Sequence, residues 1–332
     1  MNNWAQFLKE NEHLVFHTLE YKKFIEEAFN CNYKMIKYSK ENKKIILPIV
    51  EVKSLLFGKK IISTAYLEYG GFVGEKKYLQ KLIDNLTNKY GSEYDYLEIR
   101  GGFNEEELTN LKNLKKANLY HRFVLKIFDK ESTWKNIQKS KRKAIKKSLK
   151  SVEVKEIPLS ELNSFYDLYC KNMRRFGSPP YSKKYFFSFY KNIVDNRLGK
   201  VFGTYHQGKL IAALLGFTYQ NRVHLLISVF DPKYQQYRPN DVIHWSFIEW
   251  ACDNNIQYFD FGRVRKESGQ FEYKRKWGPE LLDLPSYFLL WKSKKIPHVD
   301  PSNHQLLVNC WKKLPIILTK IIGPKLRKGL GI

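Results

Sequence analysis

The sequence of residues 258–278 is Tyr258-Phe-Asp-Phe-Gly-Arg-Val-Arg-Lys-Glu-Ser-Gly-Gln-Phe-Glu-Tyr-Lys-Arg-Lys-Trp-Gly278. It begins as an apolar strand around a single acid, Asp260, and continues into a turn-rich stretch that contains glycines and a cluster of cations. Such a turn can convert the end of a buried strand into a site for anions. The segment therefore predicts a buried strand that ends at an anion-binding site.

A similar helix-to-strand unit occurs earlier in the chain, where Tyr96-Leu-Glu-Ile matches Tyr258-Phe-Asp-Phe in its order of aromatic, apolar, acidic and apolar residues. The first half is predicted to contain a helix at 19–30, strands at 33–38, 44–52 and 61–67, a helix at 75–90 and a strand at 94–100. The second half is predicted to contain helices at 160–175 and 183–196, strands at 200–205, 209–219 and 222–230, a helix at 240–254 and a strand at 257–261. The repetition predicts a mixed α/β (α+β) fold of two modules, each with an antiparallel meander followed by a helix and a strand.

The composition is that of a folded globular protein with room for two cores. The chain has 332 residues, of which 43% are hydrophobic, with 22 Tyr and 22 Phe. Lys and Arg number 58 against 33 acids, which gives a formal charge of +25. This charge attracts RNA, nucleotide sugars or an anionic membrane face, and it does not choose among them.

Targeting and metal signals are weak in this sequence. The four cysteines are isolated, and no histidine is spaced to complete a metal site, so no metal is predicted. The N-terminus lacks an apolar core of signal-peptide length, and no run of eighteen uncharged apolar residues occurs. These features predict a cytoplasmic protein.

A strongly basic segment, residues 134–150, separates the two halves and contains no acid. As a helix it would pack one narrow apolar stripe and leave a cationic face. That face is either a solvated connector or a phosphate-binding surface.

Two turns carry candidate binding residues. Asn240 is predicted to cap the helix that follows it, and Arg238 lies beside that helix start, where an anion could bind. Arg174 and Arg175 end the predicted helix at 160–175. The rigid turn after them is predicted to hold them and Tyr181 over a pocket for a pyrophosphate or carboxylate.

The opening segment supplies further candidates. Lys274 lies between aromatic residues, so its ammonium could be held in place to stabilise an oxyanion in acyl transfer, although a plain surface lysine fits as well. Asp260 is a candidate catalytic acid, yet its sequence context favours pairing with Arg263 or Arg265 for structure over proton transfer. Ser268 and Gly269 would let the backbone approach a ligand closely.

The C-terminal stretch, residues 311–328, mixes apolar residues with six cations and no acid. It is too short and too charged to span a bilayer. It could lie on an anionic membrane surface or pack as a terminal helix on the second domain.

Taken together, several motifs resemble the FemAB-like branch of the GNAT N-acyltransferase superfamily over most of the chain. They are Asn172-Met-Arg-Arg-Phe-Gly-Ser-Pro-Pro-Tyr-Ser, Asp231-Pro-Lys-Tyr, Pro239-Asn-Asp, Phe259-Asp-Phe-Gly-Arg and Tyr273-Lys-Arg-Lys-Trp-Gly. The resemblance implies a tandem pair of GNAT-like domains, each with a mixed, largely antiparallel central sheet flanked by helices. It also implies that Lys274 stabilises the transferring carbonyl, with Tyr273 as its aromatic partner, and that catalysis is largely substrate-assisted.

The family context gives the following expectations for domains and substrates. Residues 1–130 and 156–300 are predicted to form the two GNAT-like domains, the second of them catalytic, with a basic connector at 131–155 and a basic amphipathic tail at 301–332. The resemblance implies no tightly bound cofactor and a donor that is either aminoacyl-tRNA or acyl-CoA. Acyl-CoA-using relatives carry a glycine-rich turn where this chain has Gln236-Tyr-Arg-Pro-Asn-Asp.

The predicted function is thus transfer of an acyl or aminoacyl group to an amine of a cell-envelope glycan or peptidoglycan precursor, where the acceptor is nucleotide- or lipid-linked. Arg174, Arg175, Tyr181, Arg238, Asn240, Arg263, Ser268 and Gly269 are the predicted binding residues, and Lys274, Tyr273 and Asp260 the predicted catalytic ones. Two alternatives stay open at this point: a non-catalytic RNA-binding protein that uses residues 134–150, and a peripheral membrane adaptor that uses residues 311–328.

Overall fold

The computed structural model describes residues 2–297 and 305–331. The chain separates into two compact units. Of the described residues, unit 1 comprises 2–120, 283–297 and 324–331, and unit 2 comprises 121–282 and 305–323. The predicted domain boundary between residues 300 and 301 lies outside the described residues, and the predicted domain limits remain a prediction.

Unit 1 is built on a mixed sheet. Its helices are α1 (Asn2–Lys9), α2 (Leu19–Phe29), α3 (Leu79–Tyr90) and α4 (Glu106–Thr109). Its strands are β1 (Tyr33–Lys40), β2 (Lys43–Ser54), β3 (Gly58–Ser63), β4 (Val73–Gly74), β5 (Tyr96–Arg100) and β12 (Glu280–Leu290). The strand order is β1-β2-β3-β5-β12, with β4 paired to β2, and β3 and β5 run parallel while the other pairs are antiparallel.

Strand β12 reaches unit 1 from a distant part of the sequence. Its residues Ser286–Leu290 pair with Tyr96–Arg100 of β5, and its side chains of Tyr287 and Leu289 are buried in the core with Leu97 and Ile99. The core of unit 1 is therefore completed by a strand that follows unit 2 in sequence.

Unit 2 repeats the same order of elements. Its helices are α5 (Lys130–Asn136), α6 (Lys139–Ser148), α7 (Leu162–Phe176), α8 (Lys183–Phe189), α9 (Pro239–Asp253), α10 (Gly269–Arg275) and α11 (Gln305–Lys313), and α12 (Ile316–Leu330) begins in it. Its strands are β6 (Lys115–Lys126, from His121 onward), β7 (Glu153–Glu156), β8 (Gly199–His206), β9 (Lys209–Tyr219), β10 (Arg222–Phe230) and β11 (Tyr258–Val264). The strand order is β6-β11-β10-β9-β8-β7, in which only β10 and β11 run parallel among these neighbours.

The two units share one arrangement, in which three antiparallel strands are followed by a helix and by a strand that returns parallel to the third. In unit 1 these elements are β1 to β3, α3 and β5, and in unit 2 they are β8 to β10, α9 and β11. A parallel return needs a crossover, and each helix supplies it. The predicted mixed α/β fold of two similar modules is therefore confirmed.

The basic segment between the halves folds as α5 and α6 and belongs to unit 2. Ile137 and Ile145 are buried in the core of this unit, so the segment packs against it. Among the described residues, no helix is both long enough and apolar enough to cross a membrane.

Candidate active site in the second unit

The central feature of unit 2 is the point at which its two parallel strands part. Strands β10 and β11 pair through Arg222 with Tyr258, Val223 with Phe259 and His224 with Asp260. Beyond this point β10 continues beside β9 as far as Phe230, and β11 continues beside β6 as far as Val264. The facing edges of the two strands therefore diverge at His224 and Asp260.

Two β-bulges account for the divergence. The β10–β9 register shifts between Leu225 and Ile227, and the β11–β6 register shifts between Asp260 and Arg263. A bulge bends its strand and increases the local twist, so a bulge in each outer ladder turns the two inner strands away from each other. Gly262 lies in the second bulge at φ 71°, a left-handed conformation that glycine adopts without strain.

Asp260 is fully buried at the last paired position. Its Oδ2 lies 3.1 Å from Nη1 of Arg122, 3.8 Å from Nδ1 of His224 and 4.0 Å from Nη1 of Arg222. Its Oδ1 accepts a hydrogen bond of 2.9 Å from the backbone N–H of Gly262, inside the bulge. Asp260 therefore fixes the bulge and pairs with the partly exposed Arg122 and Arg222, a structural role of the kind that its sequence context also allowed.

Lys274 is held over the same bulge. Its helix, α10, starts with Ser268 as N-cap, whose Oγ accepts the N–H of Phe271 at 3.2 Å. The half-buried Lys274 lies in the last turn, and its Nζ donates to the carbonyl oxygens of Gly262 at 3.1 Å and Arg263 at 2.8 Å. The ammonium is therefore fixed beside the point where the strands part.

A buried ion pair lies beside α10. Nζ of Lys141 is 2.6 Å from Oδ1 of Asp241, and both side chains are almost completely buried. The same ammonium lies 3.9 Å from the ring centroid of Tyr273 and 4.5 Å from that of Trp277. Arg238 completes the cluster, since its Nε lies 2.7 Å from Oδ2 of Asp241.

Burial and charge act in opposite directions on this pair. Burial lowers the pKa of Lys141, and the carboxylate of Asp241 opposes that effect only in part. Burial would raise the pKa of Asp241, but Lys141 and Arg238 outweigh it, so the net pKa lies below the ordinary value. Asp241 is therefore ionised at neutral pH.

The Tyr273 ring lies between this ion pair and a buried histidine. Its hydroxyl is 3.4 Å from Nδ1 of His244, which is also 2.6 Å from the backbone oxygen of Asn240. Burial raises the pKa of Tyr273 well above its usual value, and Asp241 adds to the effect. Burial also lowers the pKa of His244 to about 4, so both rings are neutral at pH 7.

The start of α9 differs from the sequence-based prediction. The N-cap is Arg238, which has a left-handed backbone at φ 48° and ψ 43°, and Pro239 is the first helical residue. The prediction that Asn240 caps the helix is therefore wrong, because proline, which lacks an N–H, suits the first helical position. Asn240 follows one residue later, and its Oδ1 is buried with no hydrogen-bond partner in the described part of the chain.

The remaining predicted binding residues lie on other elements of unit 2. Nε of Arg174 donates to the backbone oxygen of Lys312 in α11 at 3.2 Å. The guanidinium of Arg175 lies 5.1 Å from the ring centroid of Phe230, at the end of β10. Tyr181 is buried and stacks on Tyr185 with ring centroids 4.2 Å apart. Of these three, Arg175 borders the diverging strands.

Three side chains of this cluster escaped the sequence analysis as site residues: Lys141, Asp241 and His244. A signal for Lys141 was present, because Lys141, Ile145 and Ser148 form the buried stripe of α6 at helical spacing. A lysine inside an apolar stripe needs a buried partner. In residues 2–297 and 305–331, no group of three His, Cys, Asp or Glu side chains is placed to hold a metal ion.

Comparison with known proteins assigns this region to a class. Residues 132–275 match the family described as "Acetyltransferase (GNAT) domain". This range contains β10, β11, α9 and α10, and with them Lys141, Asp241, Asp260 and Lys274 of the cluster described above. The chain therefore carries a GNAT acetyltransferase domain and is an acyltransferase. No curated protein sequence matches the chain.

Solved structures extend the similarity to almost the whole chain. The structure titled "Crystal structure of FemX" superposes with a TM-score of 0.70 at 13% identity, over 92% of this chain and 98% of that one. The structure of L-PGS from Bacillus licheniformis gives 0.57 at 11% identity, over 94% and 97%. The C-terminal domain of a putative lysylphosphatidylglycerol synthetase from Agrobacterium fabrum gives 0.58 at 10% identity, over 93% and 94%.

At these identities the structural similarity shows the fold. Together with the GNAT match in the second half, it confirms the predicted resemblance to the FemAB-like branch.

Proposed function

We propose that the chain is a FemAB-like N-acyltransferase that moves an aminoacyl group from aminoacyl-tRNA to an amine of a cell-envelope precursor. The observation that carries this proposal is the fixed Lys274 ammonium at the divergence of β10 and β11. The similar structures titled FemX and lysylphosphatidylglycerol synthetase support the envelope context, since the second name describes a lysyl group on a membrane lipid.

The diverging strands suit an extended donor. Past His224 and Asp260, the facing backbone edges of β10 and β11 no longer pair with each other. An extended chain with amide or hydroxyl groups can bind such an edge through main-chain hydrogen bonds, in the manner of an added strand. The carbonyl to be attacked would then lie near the bulge that Lys274 covers.

The reaction needs charge stabilisation more than a strong base. The acceptor amine attacks the acyl carbonyl, the new C–N bond forms, and the carbonyl oxygen becomes an oxyanion. A preorganised ammonium at that oxygen lowers the barrier, and donors of this kind contribute roughly 3–4 kcal/mol. As the tetrahedral intermediate collapses, the C–O bond to the tRNA ribose breaks and the leaving oxygen takes the proton that the amine has lost.

The start of α9 favours aminoacyl-tRNA over acyl-CoA. A helix N-terminus binds phosphate through its exposed N–H groups and its dipole. Here Pro239 removes the first N–H, and the first turn already contains the buried carboxylate of Asp241, which Lys141 and Arg238 neutralise. A CoA pyrophosphate at this position would compete with an internal anion.

Helix α6 supplies a surface for a nucleic acid. It contains no acid, and its exposed cations are Lys139, Lys143, Lys146 and Lys147. The same helix carries Lys141, whose ammonium lies over the ring of Tyr273. A nucleic acid whose phosphates bind the exposed face of α6 would therefore lie on the helix that also contributes Lys141 to the candidate active site.

The test uses the full chain with three donors: a mixture of aminoacyl-tRNAs, acetyl-CoA and a longer acyl-CoA, each with an amino sugar nucleotide or an amine-bearing peptidoglycan precursor as acceptor. Mass spectrometry of the acceptor then identifies the transferred group. We expect transfer from aminoacyl-tRNA. Transfer from acyl-CoA alone contradicts the proposed donor, and tight RNA binding without transfer from any donor favours the non-catalytic alternative.

A paired set of variants separates tRNA binding from chemistry. Lys143→Gln/Lys147→Gln removes two exposed cations of α6 and should raise the KM for aminoacyl-tRNA while leaving kcat nearly unchanged. The matched control, Lys77→Gln/Lys81→Gln, removes two exposed cations from unit 1 and should leave both constants unchanged. Equal effects of the two pairs would refute a specific role for α6.

A further inference from the structure

Helix α12 packs with its small residues inward and its large apolar residues outward. Thr319 is fully buried, and a Cβ on Gly323 would lie 2.4 Å from Cδ of Pro180. The side chains that face away from unit 2 are those of Ile317, Leu318, Ile321 and Ile322, which are 68%, 42%, 61% and 41% exposed. These four residues are called the α12 apolar face below. A helix of a soluble domain normally buries such a face, so this one points to a partner.

Helix α11 contacts α7, as α12 does, and it also exposes large apolar side chains. Leu306 and Leu307 are 82% and 68% exposed, while Trp311 is buried. Val308 faces unit 2, since a Cβ on Gly177 would lie 2.4 Å from its Cγ1. The two consecutive helices therefore both present leucine or isoleucine to solvent.

The charged side chains of α11 and α12 themselves are all of one sign. Residues 305–331 contain no acid, and their cations are Lys312, Lys313, Lys320, Lys325, Arg327 and Lys328. Lys320 pairs with Asp167 of α7 at 2.6 Å, which ties α12 to unit 2. Lys312 and Lys313 are exposed at the end of α11, and they precede Ile317, the first residue of the α12 apolar face, by five and four residues.

We propose that α11 and the first half of α12 form a docking surface for an anionic lipid bilayer. Exposed isoleucine and leucine flanked by lysine is the chemistry that inserts into the interface between headgroups and acyl chains. Each cation near an anionic bilayer adds to the attraction, and the whole chain carries +25. A nucleic acid would use the cations and leave the apolar face unpaired.

A second copy of the chain fits this surface less well. A two-fold dimer brings the same patch of both copies together. Here that contact would place two acid-free, lysine-bearing surfaces against each other, which is repulsive. Anionic lipid satisfies both the apolar residues and the cations at once.

A neighbouring groove extends the surface. It encloses about 430 Å³ and is lined by Leu159, Ser160, Leu162, Asn163, Lys183, Lys184 and Phe187. Leu159 and Phe187 are nearly half exposed. Asn163 of the groove lies one helical turn before Asp167, the partner of Lys320, so the groove and α12 meet on α7. Its apolar walls and two lysines match a lipid chain and its phosphate.

This docking function is separate from the catalytic proposal. Reaction of a soluble acceptor does not need the bilayer, so variants of the α12 apolar face should keep full turnover with such an acceptor. A variant that loses vesicle binding and keeps its turnover supports the docking surface. A parent chain that shows no turnover with any donor contradicts the catalytic proposal and leaves the docking proposal unaffected.

The test is flotation of the full chain with phosphatidylcholine vesicles that contain about one third phosphatidylglycerol, whose negative surface potential attracts basic segments, and with vesicles of pure phosphatidylcholine. We expect binding to the anionic vesicles that weakens with salt, and little binding to the neutral ones. Ile317→Ser/Ile321→Ser should lower the vesicle partition coefficient about tenfold or more, because two large side chains no longer insert. Lys312→Gln/Lys313→Gln should lower it several-fold.

Two control variants match these changes elsewhere on the chain. Leu55→Ser/Leu56→Ser removes two exposed leucines, and Lys77→Gln/Lys81→Gln removes two exposed cations, both from unit 1. Both should bind vesicles like the parent chain. Failure of the parent chain to bind anionic vesicles, or unchanged binding by the Ile317→Ser/Ile321→Ser variant, overturns the proposal. A dimer in sedimentation that this variant abolishes, without vesicle binding, assigns the face to a second copy and also overturns it.

Discussion

Replacing Asp241 by Asn should destabilise unit 2 strongly, because it leaves the ammonium of Lys141 buried without its carboxylate. The two groups lie 2.6 Å apart, and their side chains are 2% and 3% exposed. Breaking a buried ion pair by removing one partner costs about 3–5 kcal/mol. For a unit of this size the loss corresponds to a fall in Tm of about 6–20 °C.

The structure offers a matched control in the pair Lys320–Asp167. Its atoms are also 2.6 Å apart, but its side chains are 31% and 55% exposed. Asp167→Asn should therefore cost at most about 1 kcal/mol. Urea unfolding followed by tryptophan fluorescence gives both free energies of unfolding.

The pH dependence of the Asp241→Asn variant provides a second check. Without the carboxylate, burial lowers the pKa of Lys141 further below its unfolded value. The deficit in stability relative to the parent chain is then largest near neutral pH. It shrinks as the pH rises and Lys141 loses its proton in the folded state, and it shrinks at low pH, where Asp241 of the parent chain takes up a proton. If Asp241→Asn and Asp167→Asn have the same small effect at pH 7, the buried-pair argument is refuted.

Three further predictions concern the fold. A fragment of residues 1–130 should fail to fold, as judged by circular dichroism, because it lacks β12 with the buried Tyr287 and Leu289; a cooperatively folded fragment would contradict the assignment of that strand. Gly278→Ala should lower the free energy of unfolding in urea by roughly 1–3 kcal/mol, since Gly278 has φ 78° and a Cβ would lie 2.8 Å from the backbone oxygen of Asn136. The control Gly269→Ala should be neutral, because the space at its Cβ is open, and equal losses in the two variants would refute this prediction. The free energy of unfolding should fall as the pH drops from about 6.5 to about 4. Burial lowers the pKa of His17 and of His244 to about 4, so the unfolded chain takes up protons in this range that the folded chain does not. His244→Gln should make the dependence of stability on pH less steep, and an unchanged dependence would argue against a buried neutral His244.

The repeated elements were predictable because their signals are local. The strand at 209–219 and the strand at 222–230 have the predicted limits in the structure, and the helix at 160–175 is observed at Leu162–Phe176. Alternating apolar residues and turn dipeptides define such elements within a few residues. The duplication found in Tyr96-Leu-Glu-Ile and Tyr258-Phe-Asp-Phe corresponds to the parallel strands β5 and β11.

The parts that escaped prediction depend on distant pairings. Strand β12 pairs with β5 across almost two hundred residues, and β6 contributes Arg122 to Asp260 of β11. No local pattern records such partners. Lys141 was hidden for another reason, since a lysine within a run of lysines resembles its exposed neighbours until its place in the buried stripe of α6 is seen.

The candidate site could likewise be predicted only in part. The segment that contains Lys274, Tyr273 and Asp260 was recognisable, because its residue types cluster within one short stretch. The polar cluster that supports it joins α6 to α9 and α10, and Lys141 of α6 precedes its partner Asp241 of α9 by 100 residues. That juxtaposition is a property of the packed unit.

The proposed acyl transfer depends most directly on the ammonium of Lys274. The measurement that tests it is the single-turnover transfer rate of Lys274→Ala and Lys274→Gln, compared with that of Lys276→Ala as a control on the same turn. We expect the first two variants to lose about 10²–10³-fold in rate, because the fixed positive charge at the bulge is lost, while the control keeps the parent rate. Thermal unfolding should show all three variants folded, since loss of a hydrogen bond from a charged, half-buried group costs only about 1.5–3 kcal/mol. Removal of an oxyanion donor should cost far more than threefold in rate. The proposed role of Lys274 is therefore contradicted if a folded Lys274→Ala variant transfers the acyl group within about threefold of the parent rate.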